Sequence, residues 1–277
     1  MSSLETVTLH DPSAGSRVLV APSRGGMITR FSVGDREVMF LDEATLLDAT
    51  KNVRGGNPVL FPSPGPLAGD RFAWGGKSGS MKQHGFARQR AWSVVASAER
   101  AVTLELRSDD ETRAAYPWDF VVRIRYALAG ARLAVETTVA NRSADAMPFA
   151  LGFHPYFHVP DVEKARCRVT TDATRAFDNV TKTTSALAGI DLTQKEVDLH
   201  LIDHGPHEST LELADGSKVV VSADPSFRRW VVWTLAGKDF VCLEPWTAPA
   251  DALNRDESLI VLAPNESRSL SVAITAR

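Results

Sequence analysis

The chain has 277 residues, of which 44% are hydrophobic and 23% are charged, and its formal net charge is −3. These values are ordinary for a globular protein, and the length allows one large core, so we expect a single domain over residues 1–277. The weak, scattered charge argues against a nucleic-acid partner and against binding to an anionic membrane surface.

The N-terminal residues MSSLE lack the basic start and the apolar stretch of a signal peptide. No apolar window approaches the roughly 20 residues that a membrane span needs. We therefore expect a cytoplasmic protein. The two cysteines, Cys167 and Cys242, lie in apolar, strand-like stretches and are predicted to be small buried hydrophobic residues. Two thiols cannot make a disulfide framework or a CxxC metal pair.

Strand patterns dominate the chain, and the best helix candidate is the short segment 41–47. Residues 102–106 alternate apolar and polar side chains, as a half-buried strand does. Two further strands are joined through Gly130, which predicts a hairpin. The predicted strands are 102–106, 120–128, 132–139, 218–222, 229–234, 240–243, 258–262 and 269–275. Their spacing, with no alternation of helix and strand, predicts an all-β fold, one large antiparallel β-sandwich.

The stretch 53–85 differs from the rest of the chain in composition. It holds seven glycines before His84 and four prolines. So many permissive or restricted backbone positions indicate a shaped loop rather than a long strand. Long loops carried by rigid sheets are common places for binding sites.

Three short segments hold the residues best suited to chemistry. They are 83–88 (QHGFAR), 152–157 (GFHPYF) and 242–246 (CLEPW). Each sets a titratable group among aromatic residues or prolines, where burial can move its pKa toward neutrality. Two imidazoles and a carboxylate form a sufficient set for acid–base work near pH 7. Each histidine taken alone is equally compatible with a structural residue bonded to backbone.

Together with 54–62 (RGGNPVLFP) and 262–267 (LAPNES), these segments resemble the aldose 1-epimerase (galactose mutarotase-like) family. The resemblance runs from about Leu41 to the C-terminus. It implies a large antiparallel β-sandwich with a sugar cleft on one sheet, and an enzyme that interconverts α and β anomers. By the same resemblance, His154 and Glu244 are catalytic, while Arg54 and His84 bind the sugar. No cofactor and no metal are expected.

The match departs from the galactose-type branch of that family. Residues 66–71 (PLAGDR) stand where that branch carries an Asn-Arg pair, and Phe153 precedes His154. The chain therefore resembles more closely the branch that contains hexose-6-phosphate epimerases. An acidic residue that binds sugar hydroxyls in many members has two candidates here, Asp191 and Asp203, which the sequence does not separate.

Other interpretations stay open at this point. Arg88 either binds a substrate phosphate or braces its loop, and Trp246 either stacks on the sugar or belongs to the core. A P-loop at residues 75–78 (GGKS) lacks its first glycine. The histidine pairs 154/158 and 204/207 are interrupted by prolines, so neither is expected to bind a metal. A non-catalytic carbohydrate-binding or sugar-sensing protein of the same fold is the alternative function, and the oligomeric state is undetermined.

Overall fold

β-strands make up most of the regular structure in the computed structural model, which describes residues 4–277. The first three residues, on which part of the signal-peptide expectation rests, lie outside the described residues. The strands, numbered in chain order, are β1 Val7–Asp11, β2 Ser16–Ala21, β3 Met27–Val33, β4 Arg36–Glu37, β5 Val59–Leu60, β6 Arg71–Trp74, β7 Lys77–Ser80, β8 Ser93–Ala98, β9 Ala101–Arg107, β10 Phe120–Ala129, β11 Arg132–Asn141, β12 Met147–Phe149, β13 Gly152–Phe153, β14 Tyr156–His158, β15 Arg168–Thr170, β16 Arg175–Asp178, β17 Thr183–Ala186, β18 Glu196–Leu201, β19 Glu208–Glu212, β20 Lys218–Ala223, β21 Arg229–Leu235, β22 Phe240–Trp246, β23 Ile260–Leu262 and β24 Ser267–Ala276. The α-helices are α1 Glu43–Leu47, α2 Asp110–Ala115 and α3 Ala252–Arg255, and 3-10 turns occur at Ala68–Asp70, Ala87–Gln89 and Asp161–Arg166.

Two large antiparallel sheets organise the chain. The back sheet has the order β15-β19-β20-β24-β11-β10-β9-β8, and the cleft sheet has the order β17-β16-β18-β21-β22-β13-β5, with β14 also paired to β22. Smaller sheets are formed by β1 to β4, by β12 with β23, and by β6 with β7. The prediction of an all-β antiparallel sandwich is confirmed. In residues 4–277 no helix has the length and apolar character needed to cross a membrane.

The predicted strands are found with shifted ends. β10 and β11 form the expected hairpin, in which Ala129 pairs with Arg132 and Gly130 adopts a φ of 58°. β22 is longer than predicted because it continues through Glu244 to Trp246, so the carboxylate lies within the strand. The predicted loop 53–85 contains β5 and the β6–β7 hairpin. Helix α2 is absent from the sequence prediction, although Asp109 and Thr112 form a capping box at its start.

The alternation of side chains along β22 separates the core from the cleft. Val241 and Leu243 belong to the main apolar cluster, which also includes Val122 and Ile274 of the back sheet. Because successive side chains of a strand point to opposite faces, Glu244 lies on the outer face of the cleft sheet. A core shared by both large sheets supports a single domain over residues 1–277, which stays a prediction.

The two cysteines differ in burial. Cys242 is buried, as predicted, whereas Cys167 is only half-buried. Cys167 follows the 3-10 turn Asp161–Arg166, and its Sγ donates to the carbonyl of Glu163. Its place at the end of a surface turn explains why the apolar neighbours in sequence do not cover it.

Candidate active site

His154 and Glu244 face each other across neighbouring strands. β14 pairs with β22 at Tyr156 and Cys242. Two residues further along the same antiparallel register, His154 falls opposite Glu244, and β13 resumes pairing with β22 just beyond. His154 Nε2 lies 3.3 Å from Glu244 Oε1, and both side chains are buried. Strand register therefore brings together two groups that are 90 residues apart in sequence.

Burial pushes both members of this pair toward their uncharged forms. It raises the pKa of the Glu244 carboxyl well above its ordinary value, and the negative charge of Asp198 adds to that effect. Burial likewise lowers the pKa of the His154 imidazole, with repulsion from His84 and Arg88 as further causes. Both shifts favour the form in which the two groups share one proton. An acid and a base that share one proton at 3.3 Å suit reversible proton transfer.

Trp246 fixes the orientation of the carboxylate. Its indole Nε1 donates to Glu244 Oε2 at 3.1 Å, which leaves Oε1 for His154 and a ligand. The tryptophan lies on the same face of β22 as Glu244 and lines the cleft, although its side chain is almost completely buried. Trp246 is thus a buried residue of the cleft wall, and its stacking on a sugar stays a prediction.

His84 adjoins the pair from the glycine-rich loop. Its ring centroid is 5.4 Å from that of His154, and its Nδ1 is hydrogen-bonded to the carbonyl of Pro64. Because a carbonyl only accepts, Nδ1 carries the hydrogen. Burial, together with repulsion from Arg88, lowers the pKa of His84 to about 4, so the ring is neutral near pH 7. Its Nε2 is then an acceptor for a ligand hydroxyl.

Two glycines explain the local chain path of these loops. Gly55 has a φ of 130°, and a Cβ there would lie 2.5 Å from Leu41 Cα. Gly85 has a φ of 66°, and a Cβ there would lie 2.2 Å from the carbonyl oxygen of Phe61. Both positions therefore require glycine, and each directly follows a cleft residue, Arg54 or His84.

Two arginines line the cleft without a carboxylate partner in residues 4–277. Arg54 lies over the ring of Trp233, with its Cζ 5.5 Å from the centroid. Arg88 donates from Nη2 to the carbonyl of Gln83 at 3.1 Å, while its buried Nε has no hydrogen-bond partner. Burial lowers the pKa of Arg88, and the positive charge of Arg54 lowers it further. We call Arg54 and Arg88 the arginine end of the cleft.

A third arginine, Arg24, braces the loop that leads to Arg54. Arg54 itself donates from its backbone nitrogen to Thr45 Oγ1 at 2.9 Å. The guanidinium of Arg24 donates to four backbone carbonyls at 2.9–3.1 Å, those of Thr45, Leu46, Asp48 and Lys51. The loop path before Arg54 is therefore fixed by one half-buried side chain that lies outside every motif of the sequence analysis.

Sequence reasoning missed Asp198, one of the acidic residues that line the cleft. Asp198 lies on β18 beside Trp233 of β21 and lines the cleft together with His200. Burial raises its pKa, but hydrogen bonds from His200 and Asn179 outweigh that effect and leave the pKa below its ordinary value. Asp198 is therefore a carboxylate at neutral pH. The strict polar–apolar alternation of residues 196–201 (EVDLHL) was the available signal.

The two candidates named from sequence, Asp191 and Asp203, lie outside the cleft lining. Asp191 accepts from the backbone and hydroxyl of Thr193. Asp203 accepts from the backbone nitrogens of Thr174 and Arg175 and from the Thr174 hydroxyl. Both carboxylates are exposed and serve as turn caps, which explains their loop positions in the sequence.

The six site residues predicted from sequence all line one cleft of about 690 Å³. This volume lies within the roughly 300–1,000 Å³ typical of small-molecule sites. They are Arg54, His84, Arg88, His154, Glu244 and Trp246. Of the four histidines weighed as metal ligands in pairs, only His154 lines this cleft. A different set of potential metal ligands does converge. Ligand atoms of His154, Cys242 and Glu244 lie within 4.8 Å of one another.

Comparison with known proteins identifies relatives over the whole chain. A sequence model of the family described as Aldose 1-epimerase matches residues 5–275. A protein of Cenchrus ciliaris, provisionally named glucose-6-phosphate 1-epimerase, is 28% identical over 247 residues, which cover 83% of this chain and 67% of that protein. A protein of Salmonella typhimurium with the same provisional name is 30% identical over 152 residues, covering 53% of this chain and 46% of the relative.

Solved structures show the same fold. The protein Slr1438 from Synechocystis sp. PCC 6803 is 35% identical and superposes with a TM-score of 0.96, covering 99% of this chain and 96% of that one. A galactose mutarotase-like protein from Lactobacillus casei superposes with a TM-score of 0.81 at 21% identity, covering 99% and 100%. The second likeness concerns the fold alone.

Proposed function

The chain belongs to the aldose 1-epimerase family and is an isomerase of sugar anomers, and we propose that His154 and Glu244 carry its acid–base chemistry. The observation that supports this most is their 3.3 Å contact on the floor of the cleft. Both side chains are buried, and the indole of Trp246 orients the carboxylate.

Anomer exchange requires two proton transfers in each direction. Glu244 takes the proton of the O1 hydroxyl while the C1–O5 bond breaks with its electron pair on O5. His154 gives its proton to O5, which leaves an open-chain aldehyde. After rotation about C1–C2, the O5 hydroxyl attacks the other face of the carbonyl. O5 then returns its proton to His154, and O1 regains one from Glu244. Each positioned group contributes about 10²–10⁴-fold.

In the reactive form, the proton that the pair shares is on His154, so His154 is an imidazolium and Glu244 is a carboxylate. In the cleft without sugar, burial favours the uncharged pair, with that proton on Glu244. A bound sugar changes the balance because its O1 hydroxyl joins the Trp246 indole as a donor to the carboxylate. Hydrogen bonds to the charged form lower a carboxyl pKa. Substrate binding thus converts the neutral pair into carboxylate and imidazolium.

His84 and Asp198 provide complementary contacts for the ring. His84 presents an unprotonated Nε2, which accepts from a sugar hydroxyl. Asp198 is a carboxylate held by His200 and Asn179, and it accepts from a second hydroxyl. A carboxylate and a neutral imidazole are both acceptors, so the site matches a ligand rich in hydroxyl donors.

The substrate we propose is a hexose 6-phosphate bound with its phosphate at the arginine end. Arg54 and Arg88 have no carboxylate partner in the described part of the chain, and each guanidinium offers several donors in a planar fork. Burial and, to a lesser extent, repulsion from Arg54 lower the pKa of Arg88, and a dianion between the two guanidinium groups relieves that repulsion. The provisional names of the relatives agree with this substrate class. Phosphorylated sugars are intracellular metabolites, which accords with the predicted cytoplasmic location.

Anomer exchange followed by NMR tests this function. Glucose, galactose and glucose 6-phosphate are run in parallel, with and without the protein. We expect acceleration of exchange for all substrates that fit, with the highest kcat/KM for glucose 6-phosphate. Faster exchange of an unphosphorylated hexose would overturn the phosphate assignment. No acceleration by folded protein would instead favour the sugar-binding alternative.

A further inference from the structure

Three potential metal ligands converge beneath the cleft. In residues 4–277, one ligand atom from each of His154, Cys242 and Glu244 lies within 4.8 Å of the others. All three residues are buried. Cys242 and Glu244 stand two positions apart on β22 and so share its outer face, while His154 approaches from the break between β13 and β14. Of the three, Cys242 is the residue that anomer exchange does not use.

We propose that these three side chains form a Zn²⁺ site, and that Zn²⁺ reversibly inhibits the enzyme by occupying its acid–base pair. Thiolate, imidazole and carboxylate are the three ligand types that zinc takes in proteins. The inference uses the same pair as the proposed function but stands on ligand geometry, so zinc binding is measurable without any sugar.

The geometry of the pair already suits a tetrahedral ion. Zn–N and Zn–O bonds of about 2.0–2.2 Å set neighbouring ligand atoms roughly 3.3–3.5 Å apart in a tetrahedron. His154 Nε2 and Glu244 Oε1 are 3.3 Å apart. His154 Nδ1 has no hydrogen-bond partner, so it can carry the ring hydrogen and leave the Nε2 lone pair to the metal. The Sγ of Cys242 lies within 4.8 Å of a ligand atom of His154 and of a ligand atom of Glu244.

The surroundings favour zinc over harder cations. Cys242 packs with Tyr156 and Phe240 in an apolar cluster, which supplies a dry side to the site. His154 and Glu244 line the cleft, so the fourth coordination position opens toward water or a sugar hydroxyl. Mg²⁺ prefers six oxygen ligands and keeps its waters, which this site does not provide. The expected selectivity is therefore Zn²⁺ and Co²⁺ over Mg²⁺.

Zinc binding releases two protons from its ligands. Burial raises the pKa of the Cys242 thiol, but a coordinating thiol is deprotonated outright. One proton leaves the thiol and one leaves the His154–Glu244 pair when the ion binds. The ion then holds the carboxylate and the imidazole lone pair that anomer exchange needs. Activity consequently falls at saturation by at least the contribution of one positioned group, about 10²–10⁴-fold.

Cobalt absorption and inhibition together test the site, with Cys242→Ala as the diagnostic variant and Cys167→Ala as the matched control. Cys167 is the second thiol of the chain, is half-buried and does not line the cleft. With Co²⁺ we expect a thiolate charge-transfer band in the wild type and in Cys167→Ala, and none in Cys242→Ala. Loss of a ligand should also raise the Zn²⁺ concentration for half-inhibition at least 10-fold, given the roughly 10–100-fold typical of outer-shell changes.

The experiment distinguishes failure of the zinc site from failure of the proposed function. The band is read without substrate, so its presence supports the site even if no tested sugar reacts. Inhibition that is equal in the wild type and in Cys242→Ala would overturn the three-ligand site. Absence of the cobalt band from folded wild type would overturn it as well. A saturating sugar should raise the Zn²⁺ needed for inhibition, because both occupy the same floor of the cleft.

Discussion

The centre of the cleft and its arginine end are built in different ways. His154 lies in the two-residue break between β13 and β14, and both of these strands pair with β22, which carries Glu244. The register of these pairs sets His154 opposite Glu244 at 3.3 Å. Arg54 and Arg88 instead lie on loops, and the path of the Arg54 loop depends on the side chain of Arg24. Sheets fix geometry more tightly than loops do. We therefore propose that the chemistry resides on the sheet and that the choice of substrate resides on the loops.

Removing either member of the central pair gives the largest expected effect. Glu244→Gln and His154→Ala should each lower the rate of anomer exchange by about 10²–10⁴-fold, because each removes one of the two proton-transfer groups. The measurement is polarimetry of freshly dissolved α-glucose 6-phosphate. His158→Ala is the control, since His158 lies on β14 but is exposed and outside the cleft lining. Near-normal turnover in either pair variant would show that another group performs the transfer.

Changes at the arginine end should be selective for the phosphorylated substrate. We expect Arg54→Ala and Arg88→Ala each to lower kcat/KM for glucose 6-phosphate about 10- to 100-fold, since hydrogen bonds to charged groups contribute about 1.5–3 kcal/mol. The rate on glucose should stay within a few-fold of normal. Arg255→Ala is the matched control, because Arg255 also lines the cleft but is paired with Glu257 at 3.4 Å. A selective loss in Arg255→Ala instead would move the phosphate to the other end.

The two regions should also differ in how they affect stability. The pKa of Glu244 is raised in the folded protein, so its contribution is most favourable below the unfolded value of about 4.3 and is lost as pH rises toward the folded value. Glu244→Gln removes that titration. Thermal unfolding should therefore show a gain of about 1–3 kcal/mol for the variant at pH 8, shrinking toward pH 4.5. Arg54→Ala, at an exposed position, should leave the pH profile unchanged. A pH-independent difference for Glu244→Gln would argue against the buried titration.

The smallest effect is expected from substitution of Arg24, which holds the loop before Arg54. Arg24→Ala frees four carbonyls of residues 45–51 and loosens the loop before Arg54. KM for glucose 6-phosphate should rise a few-fold, while kcat and the rate on glucose stay normal, because Arg24 does not touch the cleft floor. Arg17→Ala, on an exposed position of β2, is the control. An equal loss on both sugars would assign Arg24 a general structural role instead.

The sequence predicted features that depend on local patterns, but it did not predict contacts between residues that are distant in the chain. His84, His154 and Glu244 stand in motifs whose prolines and glycines mark them locally, and the β10–β11 hairpin is set by Gly130. The Gly130 turn and the alternating strands are local features, so the fold class was predictable. The direct contact between His154 and Glu244 was not, because it depends on the register between β22 and its neighbours.

Residues outside the motifs were missed for the same reason. Asp198 sits in a strand with clear alternation, yet only the order of β16, β18 and β21 in the sheet brings it into the cleft. Asp191 and Asp203 were the two candidates named from the sequence, and their carboxylates cap turns outside the cleft lining. Arg24 contacts a loop more than 20 residues away, and no local pattern identifies such a brace.

The central claim is that the strand-borne pair performs the chemistry while the arginine end selects the substrate. NMR exchange rates on glucose and glucose 6-phosphate, measured side by side for the wild type, Glu244→Gln and the double variant Arg54→Ala/Arg88→Ala, test it most directly. We predict that Glu244→Gln loses both activities in the same proportion, whereas the double variant loses only the activity on the phosphorylated sugar. A double variant that loses both equally, or a Glu244→Gln protein that keeps either, would contradict this division.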